Sequence, residues 1–454
     1  MALRYYLQVY GCQMNLYEAG LVRSILNQAG FQETENEFAA DLLLMMTCSV
    51  RAHAEQRALG RLSQWVARKR DYPLLITGIL GCMAQNLKDT LIKHYRADLV
   101  IGPDQYGRLP DLVNKFFTTD EPQLAVDFNE ETYENVCPEI KNQVSAFVTI
   151  MRGCSNFCSY CIVPYVKGGE RSKPLPAILS EIQRFVSQGI KEITLLGQNV
   201  LAYNDQGVDF CTLLEEVCAV PEIVRVRFLT SHPRDLNQKI IETIARLPKV
   251  CPQLHLPLQS GANRILELMN RGYTVDQYLA RVEMVRRYLP DISLTTDVIV
   301  GFPTETEAEF EATLRVLQDV RFDYAYMFRF SPRPGTPAAG IKPLVPTQVA
   351  QRRLRQLIQL QNRITLESNR AMLGRDYQVL IEGHSPRGRG SLGRTPQGKV
   401  VILDELFAPG YLVNVRITEI NGWTPKGKPI TPGLRGECKR STQPVNYCDG
   451  KGGR

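Results

Sequence analysis

Short apolar runs and amphipathic stretches alternate twice along this chain, and that alternation limits the fold more than any other feature. In residues 1–120 the runs "RYYLQVYG", "ADLLLMMT", "YPLLITGIL" and "ADLVIG" each end in turn residues. Helical patterns such as "NLYEAGLVRSILNQAG" and "AHAEQRALGRLSQWVARKR" lie between them. Strand and helix in strict alternation predict a parallel sheet covered by helices, an α/β domain. From 146 to 372 the pattern resumes with "AFVTIMRG", "EITLLGQN", "VRVRFLT", "QLHLPLQ", "SLTTDVIVGF" and "FDYAYMFRF". Six βα units fall two short of a closed eight-unit barrel. A partial barrel, open on one side, is expected, with "PTQVAQRRLRQLIQLQNRITLESNRAML" as a long closing helix.

Between these stretches, residues 121–145 are acidic and irregular and read as a linker. Beyond 372 the style changes. "DYQVLIEG", "GKVVILDE" and "GYLVNVRITEI" are short β-type runs broken by Gly- and Pro-rich segments, which predicts a small all-β barrel over 373–440. The remainder, 441–454, reads as a disordered tail. Charge is uneven. From Ser331 to Arg454 there are 20 Lys and Arg against 8 Asp and Glu, on a body that is mildly acidic. A basic C-terminal third points to a polyanion such as nucleic acid. No apolar run is of membrane-spanning length. The first residues lack a signal peptide's basic start and apolar core. A cytoplasmic monomer is expected, and there structural disulfides are rare.

The 12 cysteines therefore need another use. Cys154, Cys158 and Cys161 fall within "RGCSNFCSYC", directly after the first strand of the second series. A closed zinc site takes four ligands. Three local thiolates suit a cubane of four irons instead, leaving one iron open to a small molecule. Three structural thiols, or zinc with a distant fourth ligand, are the other readings of the spacing. A second set, Cys12, Cys48 and Cys82, lies in "YGCQMN", "MMTCSVR" and "LGCMAQ", each after a predicted strand. In a parallel sheet the C-terminal strand ends share one edge, where these three could converge on a second cluster. Gly11 and Gly81 would admit a close backbone approach. Buried cysteine is also ordinary core. Cys137, Cys211, Cys218, Cys251, Cys438 and Cys448 are isolated and are assigned no metal.

The local triplet, its preceding strand and Tyr160 resemble the radical S-adenosylmethionine superfamily. With the distant triplet and the basic β-barrel, the chain from about 3 to 435 resembles the methylthiotransferase family. The motifs "RGCSNFCSYCIVPYVKGGERSKP", "TLLGQNV", "SHP", "LHLPLQSG", "TDVIVGFPTETEAEF" and "FRFSPRPGTPA" follow in the family's order. The resemblance implies two 4Fe-4S clusters, S-adenosylmethionine, an RNA-binding TRAM-like barrel and an auxiliary cluster tied to the sulfur that is added. "GCQMN" and "CSVR" resemble the branch acting on isopentenyl-adenosine beside the tRNA anticodon. The ribosomal-protein branch reads "GCPKN" and "CGF"; the threonylcarbamoyl-adenosine branch tends towards "GCKVN". Met46 stands where the family has Asn, and Met83 where smaller residues are common.

The implied partners are tRNA, an electron donor such as flavodoxin or ferredoxin, and a sulfur source. Tyr160, Gln198, Asn199, Gln259, Ser260, Asp297 and Gly301 lie at strand ends and are candidates for S-adenosylmethionine. Turn or helix-cap duty is their other use. His232 is a further site candidate. Lys167 and Arg171 could meet carboxylate or phosphate, or lie on a solvated face. Arg387, Arg389, Arg394 and Lys399 are candidates for RNA contact. An RNA-binding iron–sulfur scaffold without turnover is the reading outside enzymology.

Overall fold

The computed structural model describes residues 2–49, 52–141, 144–385 and 390–430. Arg4–Val9, Leu42–Thr47 and Ile76–Gly81 are adjacent parallel strands of a six-stranded sheet. Gln32–Glu33 flanks them on one side, Leu99–Ile101 and Gln123–Ala125 on the other. All pairings are parallel, so every strand end of one sense lies along one edge. Leu42–Thr47 is buried at every residue, as a strand covered on both faces must be. Leu42, Leu44 and Met46 pack with the helices Gln13–Gln28 and Leu109–Thr119. Leu43 and Met45 pack with Ala58, Leu62 and Trp65 of the opposite helix Ala52–Ala67.

The stretch 121–145, read as an irregular linker, is without regular structure over most of its described length but not all of it. Its residues Gln123–Ala125 form the sheet's edge strand. Tyr133 further on is buried, with its hydroxyl donating to Pro103 O at 2.8 Å. The acidic residues lie on the outside of a strap fastened by one aromatic anchor.

The second series forms two three-stranded parallel arcs. Ser145–Thr149, Glu192–Leu196 and Arg225–Phe228 make the first. Gln253–His255, Ser293–Val300 and Tyr324–Arg329 make the second. A parallel bridge, Val226 to Val250, joins the arcs. Among the described residues the first and sixth strands do not pair, and the barrel is open between them. Strand Ser293–Val300 alternates as a one-sided strand should. Leu294, Val298 and Val300 join a core with Phe310 and Leu317 of the helix Glu307–Val320, while Thr295, Asp297 and Ile299 stay partly exposed. The 24-residue helix Thr347–Arg370 closes this part, burying Leu357, Leu360 and Ile364.

The described residues from Met372 on, apart from 396–398, form a second compact unit. Asp376–His384, Ser391–Arg394, Val400–Leu403, Thr424–Pro429 and Leu412–Asn421 close in that order into a five-stranded barrel. Its core is aliphatic: Val379, Ile381, Val401, Leu403, Val413, Val415 and Ile417. The tail 441–454, with Cys438 and Cys448, lies outside the described residues, as do Arg387 and Arg389. Among the described residues no helix is long and apolar enough to cross a membrane.

Candidate active site: two cysteine triplets on adjoining strand ends

Cys48 and Cys82 directly follow the paired ends Thr47 and Gly81, and Cys12 follows the neighbouring strand. Adjacency and parallel register thus bring three cysteines, distant in sequence, to one edge. Cys48 and Cys82 are buried and Cys12 is exposed. The loops approach closely: a Cβ on Gly11 would sit 2.8 Å from that of Cys48, and one on Gly81 2.8 Å from Thr47 O. Both glycines have positive φ, at 129° and 90°, which L side chains rarely adopt. Asn15 ties the loops together. Its amide donates to Tyr10 O at 2.9 Å and Thr47 O at 2.8 Å, and its Oδ1 lies 3.5 Å from Cys12 Sγ. Thr47 Oγ1 carries the tie onward to Leu80 O at 2.6 Å. A hydrogen bond with Cys48 draws the Cys12 thiol down to about 6, while burial pushes Cys82 up to about 11. Met46 is buried, its Sδ 3.5 Å from the Tyr106 hydroxyl. The backbone ties at this edge come from Asn15 and Thr47.

The local triplet occupies the loop after Ser145–Thr149. Cys158 is buried, and Cys154 and Cys161 are partly so. Burial pushes the Cys154 and Cys161 thiols up, Cys161 to about 12, and each is raised further by the charge of Cys158. The three are therefore electrostatic neighbours. Cys158 Sγ accepts from Arg271 Nη1 at 3.2 Å, and Cys154 Sγ from Asn156 Nδ2 at 3.4 Å. Arg271 is buried, hydrogen-bonded to Tyr273 Oη at 3.1 Å and close to Tyr160 Oη at 3.5 Å. Sequence reasoning missed Arg271 and Asn15, whose roles exist only once distant loops meet, and Asn156, whose bond to Cys154 is local.

Among the described residues no three Cys, His, Asp or Glu side chains converge as a single ion requires. A tetrahedral zinc cage needs that tight convergence, with sulfurs about 2.3 Å from one centre. A cluster binds each thiolate through a different iron and asks for a wider triangle. Three all-thiol ligands, two of them buried in the distant set and one in the local set, fit an iron–sulfur cluster.

Around the mouth of the partial barrel, three polar atoms are buried without a partner: Gln198 Oε1, His232 Nε2 and Gln259 Oε1. They lie beyond the ends of three successive strands, where barrel sites form. Burial, then the charges of Arg271 and Arg234, push the His232 imidazole down to about 2. It is neutral, and its Nδ1 accepts from Arg234 N at 3.2 Å, so Nε2 carries the proton. Buried groups left unpaired are costly, and a bound molecule would satisfy them.

The other candidates have partners. Asn199 donates to Asp235 at 2.6 Å and accepts from His232 N at 3.0 Å. Ser260 Oγ accepts from Ala262 N at 3.3 Å, and Gly301 N donates to Glu305 at 2.7 Å. Asp297 lies 3.4 Å from His255 Nε2. Lys167 is buried against Glu18, and Arg171 meets Asp104 at 3.0 Å, so neither lies on a solvated face. Arg394 is forked onto Glu382, at 2.7 and 3.3 Å. The backbone N of Lys399 donates to Thr395 Oγ1 at 3.2 Å.

The triplets adjoin each other. Cys82 packs with Ile162 and Val166, the first of which directly follows Cys161. Comparison with known proteins matches three regions of the chain. Residues 148–317 match the Radical SAM superfamily, 370–430 the TRAM domain, and 4–102 the uncharacterized protein family UPF0004. The structure is similar to a radical S-adenosylmethionine methyltransferase, TsrM, from Kitasatospora setae, with TM-score 0.58 and 14% identity over 74% of this chain and 75% of that one. Fold and site together define a radical S-adenosylmethionine enzyme. The chain is also 45% identical to the tRNA-2-methylthio-N(6)-dimethylallyladenosine synthase of Bacteroides fragilis, over 94% of this chain and 95% of that protein. Its identity to the same-named protein of Chloroherpeton thalassium is 43%, over 93% and 95%. The chain belongs to the family of tRNA-2-methylthio-N(6)-dimethylallyladenosine synthases.

Proposed function

We propose that this chain is a tRNA methylthiotransferase. It replaces the C2 hydrogen of N6-isopentenyl-adenosine, next to the anticodon at position 37, with a methylthio group. The contact between Cys82 and Ile162, which seats the distant triplet beside the local one, carries this reading. A reaction that needs a radical and a sulfur at the same carbon requires that proximity. Cys154, Cys158 and Cys161 would hold the 4Fe-4S cluster that binds S-adenosylmethionine; Cys12, Cys48 and Cys82 would hold the auxiliary one. When bound, these groups supply the radical, the sulfur and the methyl; the hard chemistry is theirs.

The chain's own residues bind and orient. Gln198 and Gln259 offer carbonyl acceptors, and His232 Nε2 offers a donor that stays neutral. Arg271 holds Cys158 in place and keeps a fixed positive charge beside the local triplet. The gap between the first and sixth barrel strands leaves an entrance for a base that has left the anticodon stack. The basic C-terminal third supplies phosphate affinity. An electron donor such as flavodoxin or ferredoxin, a sulfur source, a monomeric state and the cytoplasm complete the reading. Mass spectrometry of tRNA nucleosides after reaction with the purified, reconstituted protein tests it. The methylthio derivative of isopentenyl-adenosine is the expected product; unmodified tRNA alongside S-adenosylmethionine cleavage would overturn the substrate assignment.

A further inference from the structure

Buried charges are expensive, and the seam between the six-stranded sheet and the partial barrel holds a connected group of five of them beside the separate pair Lys173–Glu181. Glu18, on the helix Gln13–Gln28, is ion-paired to Lys167 and lies 3.2 Å from Arg152. Arg152 is 3.7 Å from Asp104, which also pairs with Arg171 at 3.0 Å. The Tyr106 hydroxyl donates to the other Glu18 oxygen at 3.0 Å. Two carboxylates face three cations, so the group carries an excess positive charge. Lys167 follows Val166, which packs on Cys82, and its charge acts on both Cys12 and Cys82. Burial works against both members of the pair, but their neighbours together outweigh it: Lys167, Arg152 and the Tyr106 hydroxyl hold Glu18 below its ordinary value, and Glu18 with the Cys82 thiol holds Lys167 above its own. Both stay charged.

Three thiolates, two of them buried, would bring three negative charges to this place, and a fixed cation beside the buried two compensates them more strongly than it would in water. Cluster potentials are set by net charge, hydrogen bonds to sulfur and solvent exposure. We propose that Lys167, oriented by Glu18, is a positioning residue that tunes the reduction potential of the group held by Cys12, Cys48 and Cys82. This rests on the reading that the distant triplet holds a cluster. It has a consequence for the two halves of the chain. The cation sits on the short helix Val163–Lys167 that follows the local triplet, so the radical domain supplies the charge that tunes the other domain's site.

The test uses full-length protein with Cys154, Cys158 and Cys161 replaced by Ala, so that a remaining cluster reports alone. After anaerobic reconstitution, iron content and a spectroelectrochemical titration are measured. Lys167→Met is expected to shift the potential to a more negative value, because reduction adds negative charge no longer compensated. Lys167→Arg is expected to stay near the parent. Lys173→Met serves as the control, since Lys173 forms a comparably buried pair with Glu181 in the same seam; it is expected to leave the potential unmoved. An unmoved potential in Lys167→Met, or an equal shift in Lys173→Met, overturns the proposal. Should Lys167→Met lose its iron, Lys167→Gln is read by the same criterion. Loss of iron from both marks the pair as structural and overturns it too. A parent protein without iron instead overturns the assignment of the distant triplet.

Discussion

Asn15 shows how much can rest on one side chain at the residue scale. Its amide spans Tyr10 O and Thr47 O, groups that belong to two strand ends. Asn15→Ala leaves two buried carbonyls without that partner, at about 1–3 kcal/mol. The loops carrying Cys12 and Cys48 then lose their common tie. The expected outcome is a lower urea midpoint and an iron content that falls from about eight per chain towards about four. An iron content unchanged in Asn15→Ala would show that the cysteines hold their geometry without it. The six cysteines themselves stand out in the sequence because thiols are rare and their spacing is countable. Asn15 does not, since its partner at Thr47 is 32 residues away and a carbonyl leaves no mark in sequence. The same holds for Arg271, which reaches Cys158 across 113 residues. Tyr160 was legible as an aromatic beside a cysteine, but its place near Arg271 was not.

Elements follow the same logic at longer range. The helix Glu307–Val320 opens with a capping box: Thr306 accepts from Glu309 N, and the Glu309 carboxylate accepts from Thr306 N at 2.8 Å. Thr306→Ala should cost about 1 kcal/mol, read as a lower urea midpoint. Arg264 hydrogen-bonds the same carboxylate and, with the Thr306 bonds, holds Glu309 down at about 2 from its ordinary 4.5. A carboxyl held low stabilises the fold above its ordinary value, and that contribution is lost as pH falls from 4.5 towards 2. The stability gap between wild type and Glu309→Gln should therefore narrow on acidification across that window; a constant gap would contradict the sign. Long, periodic elements such as Thr347–Arg370 were readable because twenty-four residues average out local accidents. Gln123–Ala125 was not, because three residues carry no period and acidic neighbours masked them. Its strand state comes from the open edge of Leu99–Ile101, which it completes.

At the scale of the whole molecule, the proposed reading assigns binding, radical generation and sulfur placement to different parts of the chain. The described residues from Met372 on form their own compact unit. Removing them should weaken tRNA binding and flatten its dependence on salt, since each lost phosphate contact lowers the slope by roughly one. Cleavage of S-adenosylmethionine without RNA should be little changed. Unchanged tRNA affinity and slope would place the RNA contacts elsewhere. On that reading the two triplets would divide the remaining work, although Cys82 and Ile162 touch. Replacing Cys12, Cys48 and Cys82 with Ala leaves the local triplet, Arg271 and the three unpartnered polar groups of the barrel mouth in place. Reductive formation of 5′-deoxyadenosine should survive in that variant, while methylthio-adenosine in tRNA should vanish. Replacing Cys154, Cys158 and Cys161 should abolish both. Circular dichroism is the control, because a domain that folds around metal can be lost with its ligands. A folded variant lacking Cys12, Cys48 and Cys82 that still installs the methylthio group would remove sulfur placement from that edge of the sheet. One that no longer cleaves S-adenosylmethionine would show instead that the distant triplet supports the radical step.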